Sequence, residues 1–214
     1  MVEAGTRTRG RPSAAHAGLA RADLITAAID VLREEGFVGA SARTIAARAG
    51  VNSAAVFYHF GSVNELLLAA LDTSTEERLD RYRKATVGVS DLGEAIRIVA
   101  ALNRDDYESG HIAVMAALVG GAAAIPGFGP LIAQRVQPWV DLTTEVIERL
   151  MVGTSLASMF SSRVVARALV SLFLGIELMA QLEGDRQNGL ALFDEADTLV
   201  AVLGPMLALI GSTQ

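Results

Sequence analysis

Residues 41–61, SARTIAARAGVNSAAVFYHFG, constrain the fold more than any other stretch of the chain. Ile45, Ala46 and Ala49 give a short helix an apolar face, and Ala46 is small enough for a second helix to approach closely. Gly50 ends that helix, because glycine alone takes the left-handed terminal conformation without a steric penalty. Val51 is expected to turn inward and Asn52 to cap a second helix over about residues 53–59. Two short helices crossing steeply over a glycine-containing turn form a helix-turn-helix, whose second helix can enter a DNA major groove.

The flanking sequence supplies what such a unit needs for a core. A preceding helix is expected over about residues 19–35, with Leu24, Ile25, Ala28 and Leu32 on one face. Gly36 stops it, and Phe37 is placed to pack back on its last turn. Ser41 is the expected cap of the next helix. After the motif, Ser62 and Glu65 make a capping box that opens a fourth helix running to about Val87. At 1.5 Å per residue it would be roughly 36 Å long, enough to join two domains.

Beyond Gly88 the apolar spacing stays helical. Further helices are expected over residues 91–104 (Asp91 and Glu94 as another capping box), 111–124, 131–151, 162–183 and 190–211. Pro138 predicts a kink or a division within the 131–151 segment. Residues 152–162 read as a connector. The fold class is therefore all-α with about nine helices: a flexible basic arm over 1–17, a three-helix head over 18–64 and a helical body over 65–214.

Charge and composition limit what the chain can do. The net charge is −6, but it is unevenly placed. In residues 1–64, Arg7, Arg9, Arg11, Arg21, Arg33, Arg43 and Arg48 stand against Glu3, Asp23, Asp30, Glu34 and Glu35, a balance of +2. A mildly basic head on an acidic body is compatible with local phosphate binding. There are no cysteines, so disulfides and thiolate metal sites are excluded. The N-terminus has no apolar core of signal-peptide type, and the expected location is cytoplasmic. Mean hydropathy is +0.39, yet Arg163, Arg167 and Glu177 interrupt one long apolar helix and Pro205 the other, against the ~20 apolar residues a span requires. No membrane insertion is expected.

Catalytic and cofactor patterns are missing. The histidines at 16, 59 and 111 are far apart, and no acidic motif at metal-ligand spacing accompanies them. Gly153-Thr154-Ser155-Leu156-Ala157 misses the G-x-S-x-G pattern by one residue, and Gly127-Phe128-Gly129 follows no strand. Neither an enzyme nor a cofactor or metal site is expected.

With the motif, the long fourth helix and the apolar C-terminal pair in place, the chain resembles the TetR/AcrR family of bacterial transcriptional regulators. The carriers are Ser41-Ala42-Arg43-Thr44-Ile45-Ala46, Ala49-Gly50-Val51, Phe57-Tyr58-His59-Phe60 and residues 62–67. The likeness is specific over residues 19–71 and architectural beyond. It implies a homodimer, a head that binds a palindromic double-stranded DNA operator, and a body that takes a small effector, here a hydrophobic one, whose binding releases repression. A DNA-binding regulator with no effector, controlled by a protein partner or by abundance, is the alternative.

On that resemblance Ser41, Arg43 and Thr44 face phosphates at a helix start, while Ser53, Ala54 and Ala55 face base edges. Alanine offers a base only methyl contact, for example with thymine. Tyr58 and His59 grip phosphate or reach a base, or His59 merely caps the helix; Val56 and Phe60 pack inward. Phe57 stands where the family commonly has tyrosine and Val63 where it commonly has lysine. Each lost phosphate contact lowers the salt slope of binding by about one unit. Arg9 and Arg11, flanking Gly10, form either a minor-groove insert or a solubilising tail.

Tyr107, His111, Met115, Phe128, Gln134 and Trp139 fall on helices that line the family's pocket, as effector contacts or as plain core. Ala168, Leu172, Gly175 and Met179 make a narrow stripe at i, i+4, i+7, i+11. With Leu199, Leu203 and Met206 it is the expected dimer interface, or else an intramolecular core.

Overall fold

A glycine decides where the first helix bends toward the motif. Helix α1 spans Ala14–Gly39 and is broken at Gly36, whose φ of 69° only glycine adopts freely. The computed structural model describes residues 14–108, 111–122, 124–154 and 156–183, with isolated positions 195, 198, 200–202 and 205. Among the described residues nine helices can be delimited and no strand occurs. The fold class read from the sequence is the one observed.

After α1 come α2 (Ala42–Arg48), α3 (Ala54–Phe60) and α4 (Val63–Ala85). The last of these has 23 residues, about 34 Å at 1.5 Å per residue. Its C-terminal end is tied down: the Thr86 carbonyl accepts from Arg149 Nη2 at 2.9 Å. Helix α5 (Leu92–Glu108) starts where Asp91 Oδ1 accepts the Glu94 amide at 2.8 Å, the expected cap, and runs four residues beyond the expected end. Helix α6 covers His111–Ala122.

Helix α7 (Phe128–Met151) departs from expectation. It starts three residues early and passes undivided through Pro138. Pro138 and Gln134 are both exposed, so the carbonyl deprived of its amide partner lies on the side where water serves it. The expected connector contains a single helical turn, α8 (Leu156–Met159), before α9 (Ser162–Glu183). Residues 1–13 of the arm expected over 1–17, and most of the helix expected over 190–211, lie outside the described residues; residues 14–17 form the first turn of α1, five residues before the expected start.

The main core joins head and body. Leu24, Ala28, Val31 and Leu32 of α1 meet Ile45, Val56, Leu66, Leu67 and Leu71, and the same cluster continues into Val114, Leu118, Phe128 and Ile132. Phe37 belongs to this junction. Besides the cluster that includes Val31 and Leu32 of α1, it reaches α6 and α7, with the positive-φ Gly36 just before it. Its ring lies 6.3 Å from that of Phe128. A Cβ on Gly121 would stand 2.2 Å from Phe37 Cγ, so the ring seats directly on the α6 backbone.

Two smaller clusters build the rest of the body. Leu79, Tyr82 and Leu142 pack with Trp139, and Val140, Ile147 and Ala166 join α7 to α9. Asp72 of α4 and Arg135 of α7 form an ion pair at 2.7 Å beside them. Among the described residues no single helix is long and apolar enough to cross a membrane.

Candidate nucleic-acid interface

The motif is held by caps at each of its ends. Ser41 Oγ accepts the Thr44 amide at 3.1 Å and shares a 2.7 Å hydrogen bond with the Thr44 hydroxyl. Ile45 and Ala46 are buried, which turns the α2 face bearing Arg43 outward. Gly50 takes φ 68°, and the Val51 amide reaches back to the Ala46 carbonyl at 2.9 Å. Asn52 caps as expected, its Oδ1 accepting the Ala54 amide at 2.8 Å, although α3 begins one residue later than expected. Gly61 at φ 77° ends α3, and Ser62 Oγ accepts the Glu65 amide at 3.1 Å to open α4.

These fixed ends determine which side chains of α3 point out. Val56 is wholly buried, and Ala55 is half-buried with its methyl against the core. Ser53 and Ala54 are exposed, and Phe57 and Tyr58 are 54% and 68% exposed. One face of α3 therefore carries Ser53, Ala54, Phe57 and Tyr58, spaced three and four residues apart. His59 is half-buried, its ring edge-on to Tyr58 at 4.9 Å and 6.4 Å from Phe60.

Arg21 was missed by the sequence reading. Its guanidinium lies 5.0 Å from the centre of the Phe60 ring, so α1 brings a cation to the end of α3. Thirty-nine residues separate the two, and no local pattern signals the pair. The opposite holds for Arg48, which is engaged by Glu34 at 2.8 Å and Glu35 at 3.4 Å. Its hydrogen bond and charge hold the Glu34 carboxyl below the usual carboxylate range. The positive balance of the head thus concentrates on fewer arginines than the count suggests.

Residues 24–70, from within α1 to the early turns of α4, match the family described as bacterial regulatory proteins, tetR family. The head domain is of the tetR family. Solved structures extend the likeness along the chain. A fatty acid degradation regulator, FadR from Bacillus halodurans, is 16% identical over 90% of this chain and 96% of its own, with a TM-score of 0.67. The regulatory protein TetR from Rhodobacter sphaeroides is 18% identical over 82% and 95%, with a TM-score of 0.68. A tetR-family member from Streptomyces coelicolor is 25% identical over 83% and 97%, with a TM-score of 0.58. No curated protein sequence matches the chain. Over 82–90% of its length the chain has the fold of these regulators.

Elsewhere the chain distributes its other expected site residues unevenly. Met115 and Phe128 sit in the core that joins head to body, whereas Trp139 packs edge-on to Tyr82 at 5.2 Å in a separate cluster. Gln134 is exposed. The side chains of Tyr107 and His111 lie outside the described residues, as do Arg9, Arg11, Leu199, Leu203 and Met206. On α9, Ala168 and Gly175 are exposed, and Leu172 and Met179 are 58% and 53% exposed. The stripe of four therefore faces away from the chain's own core.

Proposed function

We propose that this chain is a homodimeric repressor that binds a palindromic DNA operator and is released from it by a small effector. The carrying observation is the outward face of α3, where Phe57 and Tyr58 are exposed on a helix whose two ends are capped and whose opposite side is buried. An apolar or aromatic side chain exposed to water gains by covering another surface. A groove wall of thymine methyls and deoxyribose suits Ala54 and Phe57, and the Tyr58 hydroxyl suits a phosphate. Arg43 and Arg21 bring cations beside the same face, and Arg9 and Arg11 in the 1–17 arm supply minor-groove contacts. In this division the head covers 18–64, and the body over 65–214 carries effector binding and dimerisation.

Dimerisation is supported by the exposed stripe on α9. Val164, Leu172, Met179 and Leu182 are all exposed there beside Ala168 and Gly175, a face that a second copy covers by two-fold pairing. Two recognition helices then reach half-sites roughly 34–36 Å apart, one helical turn of DNA. An effector that changes the relation of body to head spoils that spacing.

The reading is tested by fluorescence anisotropy with the promoter region upstream of the chain's own gene. Binding is expected to prefer a palindrome, to fall steeply with salt, and to occur two protomers at a time. Salt-insensitive binding without sequence preference, or a monomer by analytical ultracentrifugation at micromolar concentration, refutes it.

A further inference from the structure

The body contains a charged cluster that neither the core nor the head uses. Asp106 of α5 is completely buried and accepts from Arg78 Nε at 2.9 Å and from Arg81 Nη2. The Tyr82 hydroxyl bonds to the same carboxylate; burial first, then the charge of Asp106, pushes that phenol well above its ordinary range, so it stays a neutral donor. Two guanidiniums thus share one carboxylate. Arg78 also lies 5.2 Å from the centre of the Trp139 ring. One turn earlier on the same face of α5, Asn103 is completely buried, and neither its Nδ2 nor its Oδ1 has a hydrogen-bond partner.

A buried amide without partners is destabilising, and a state that pairs it recovers that cost. Because Asn103 is completely buried, a ligand that pairs it enters by separating α5 slightly from the helices packed on it, α4 and α6. The group that best completes the cluster is an anion: it accepts from Asn103 Nδ2 and supplies the second negative charge that two guanidiniums call for. Trp139, Leu102 and Leu142 form an apolar wall beside it, suited to a hydrocarbon or aromatic skeleton.

We propose that the space bounded by Arg78, Arg81, Asn103 and Trp139 recognises the carboxylate of a small amphiphilic acid. This rests on the effector reading above and deepens it, replacing a purely hydrophobic ligand by one with an anionic head. Ligand entry acts by opening a closed cluster between α4, α5 and α7. Because α4 continues from the head, separation there is felt at the DNA-binding face.

The test is thermal unfolding of the full-length protein with octanoate, benzoate and phenylacetate, each against its matched alcohol, alongside operator binding under the same conditions. The acids are expected to raise the melting temperature and weaken operator binding, the alcohols to do so at least tenfold less effectively. Asn103→Leu removes the unpaired amide and keeps its branched shape, with two methyl groups in place of the amide oxygen and nitrogen. Without ligand it should melt at the same temperature or higher, while its affinity for the best acid falls at least tenfold. Arg81→Gln leaves Asp106 its Arg78 partner and should abolish the preference for acid over alcohol. A preference for alcohols overturns the proposal while leaving the effector reading intact. No response to any probe, with normal operator binding, removes both. An Asn103→Leu protein that melts well below wild type shows the amide to be paired, and an Arg81→Gln protein that keeps the acid preference shows the guanidinium to be uninvolved; either result overturns the assignment.

Discussion

Replacing Gly121 by alanine tests how the head is seated on the body. The added Cβ would stand 2.2 Å from Phe37 Cγ and 2.4 Å from both Cδ atoms, over an ångström inside ordinary contact. The base of a ring cannot swing aside as the tip of a lysine can, so Phe37 or α6 must move. Overpacking of this kind costs about 1–3 kcal/mol. Alanine in place of glycine within a helix returns about 0.8–1.0 kcal/mol. The expected net destabilisation is about 1 kcal/mol. Urea unfolding followed by circular dichroism, at one fixed protomer concentration because oligomers gain stability by mass action, measures it.

Two companions make the result decisive. A Cβ added to Gly120, its neighbour in α6, would meet nothing within 4 Å, so Gly120→Ala should stabilise by about 0.5–1 kcal/mol. In a Phe37→Ala background the obstacle is gone, and Gly121→Ala should become stabilising by about the same amount. The predicted signature is a reversal of sign that depends on Phe37. If Gly121→Ala has the same effect with and without that ring, the seating of Phe37 on α6 is refuted.

Other expected outcomes concern the head. Ser41→Ala removes the acceptor for the Thr44 amide and should cost about 1 kcal/mol in urea unfolding; a change below ~0.2 kcal/mol would show that water replaces the cap without loss. Tyr58→Ala should weaken operator binding without changing the oligomeric state by ultracentrifugation, since the side chain is exposed on α3; loss of the oligomer would remove it from the DNA face. Glu34 has its carboxyl pKa depressed by Arg48, so its stabilisation is complete above the unfolded carboxylate pKa and is lost as pH falls through the folded value. Glu34→Gln should therefore differ from wild type at neutral pH and converge with it in acid; a difference that persists in acid contradicts the ion-pair account.

Much of the head was legible because its signals are local. Gly50 and Gly61 stop helices through their own backbone freedom, and Ser41, Asn52, Ser62 and Asp91 each cap with a side chain two or three residues from its partner amide. The apolar period of α9 was legible too, but it left the Ala168–Met179 stripe open between an interface and an intramolecular core; the exposure of that stripe beside buried Ala166 came only from the fold. Contacts between distant segments were not legible. Ala55 fits the spacing of a base-facing residue, and only the seat of α3 on the core makes it half-buried. Arg21 reaches Phe60 and Phe37 reaches Gly121 only because separate helices pack side by side.

The sequence by itself determined an all-helical chain and a capped helix-turn-helix, since helix period, glycine stops and caps are set by neighbours along the chain. Tertiary structure decided where the head arginines go, with Arg48 engaged by Glu34 and Glu35 and Arg21 brought to the Phe60 ring at the end of α3. It also buried Asn103 unpaired beside Asp106 and two arginines, and seated Phe37 across the join between head and body. Electrostatic pairing and close packing depend on distance in space, and residues far apart in a chain acquire that distance only when it folds.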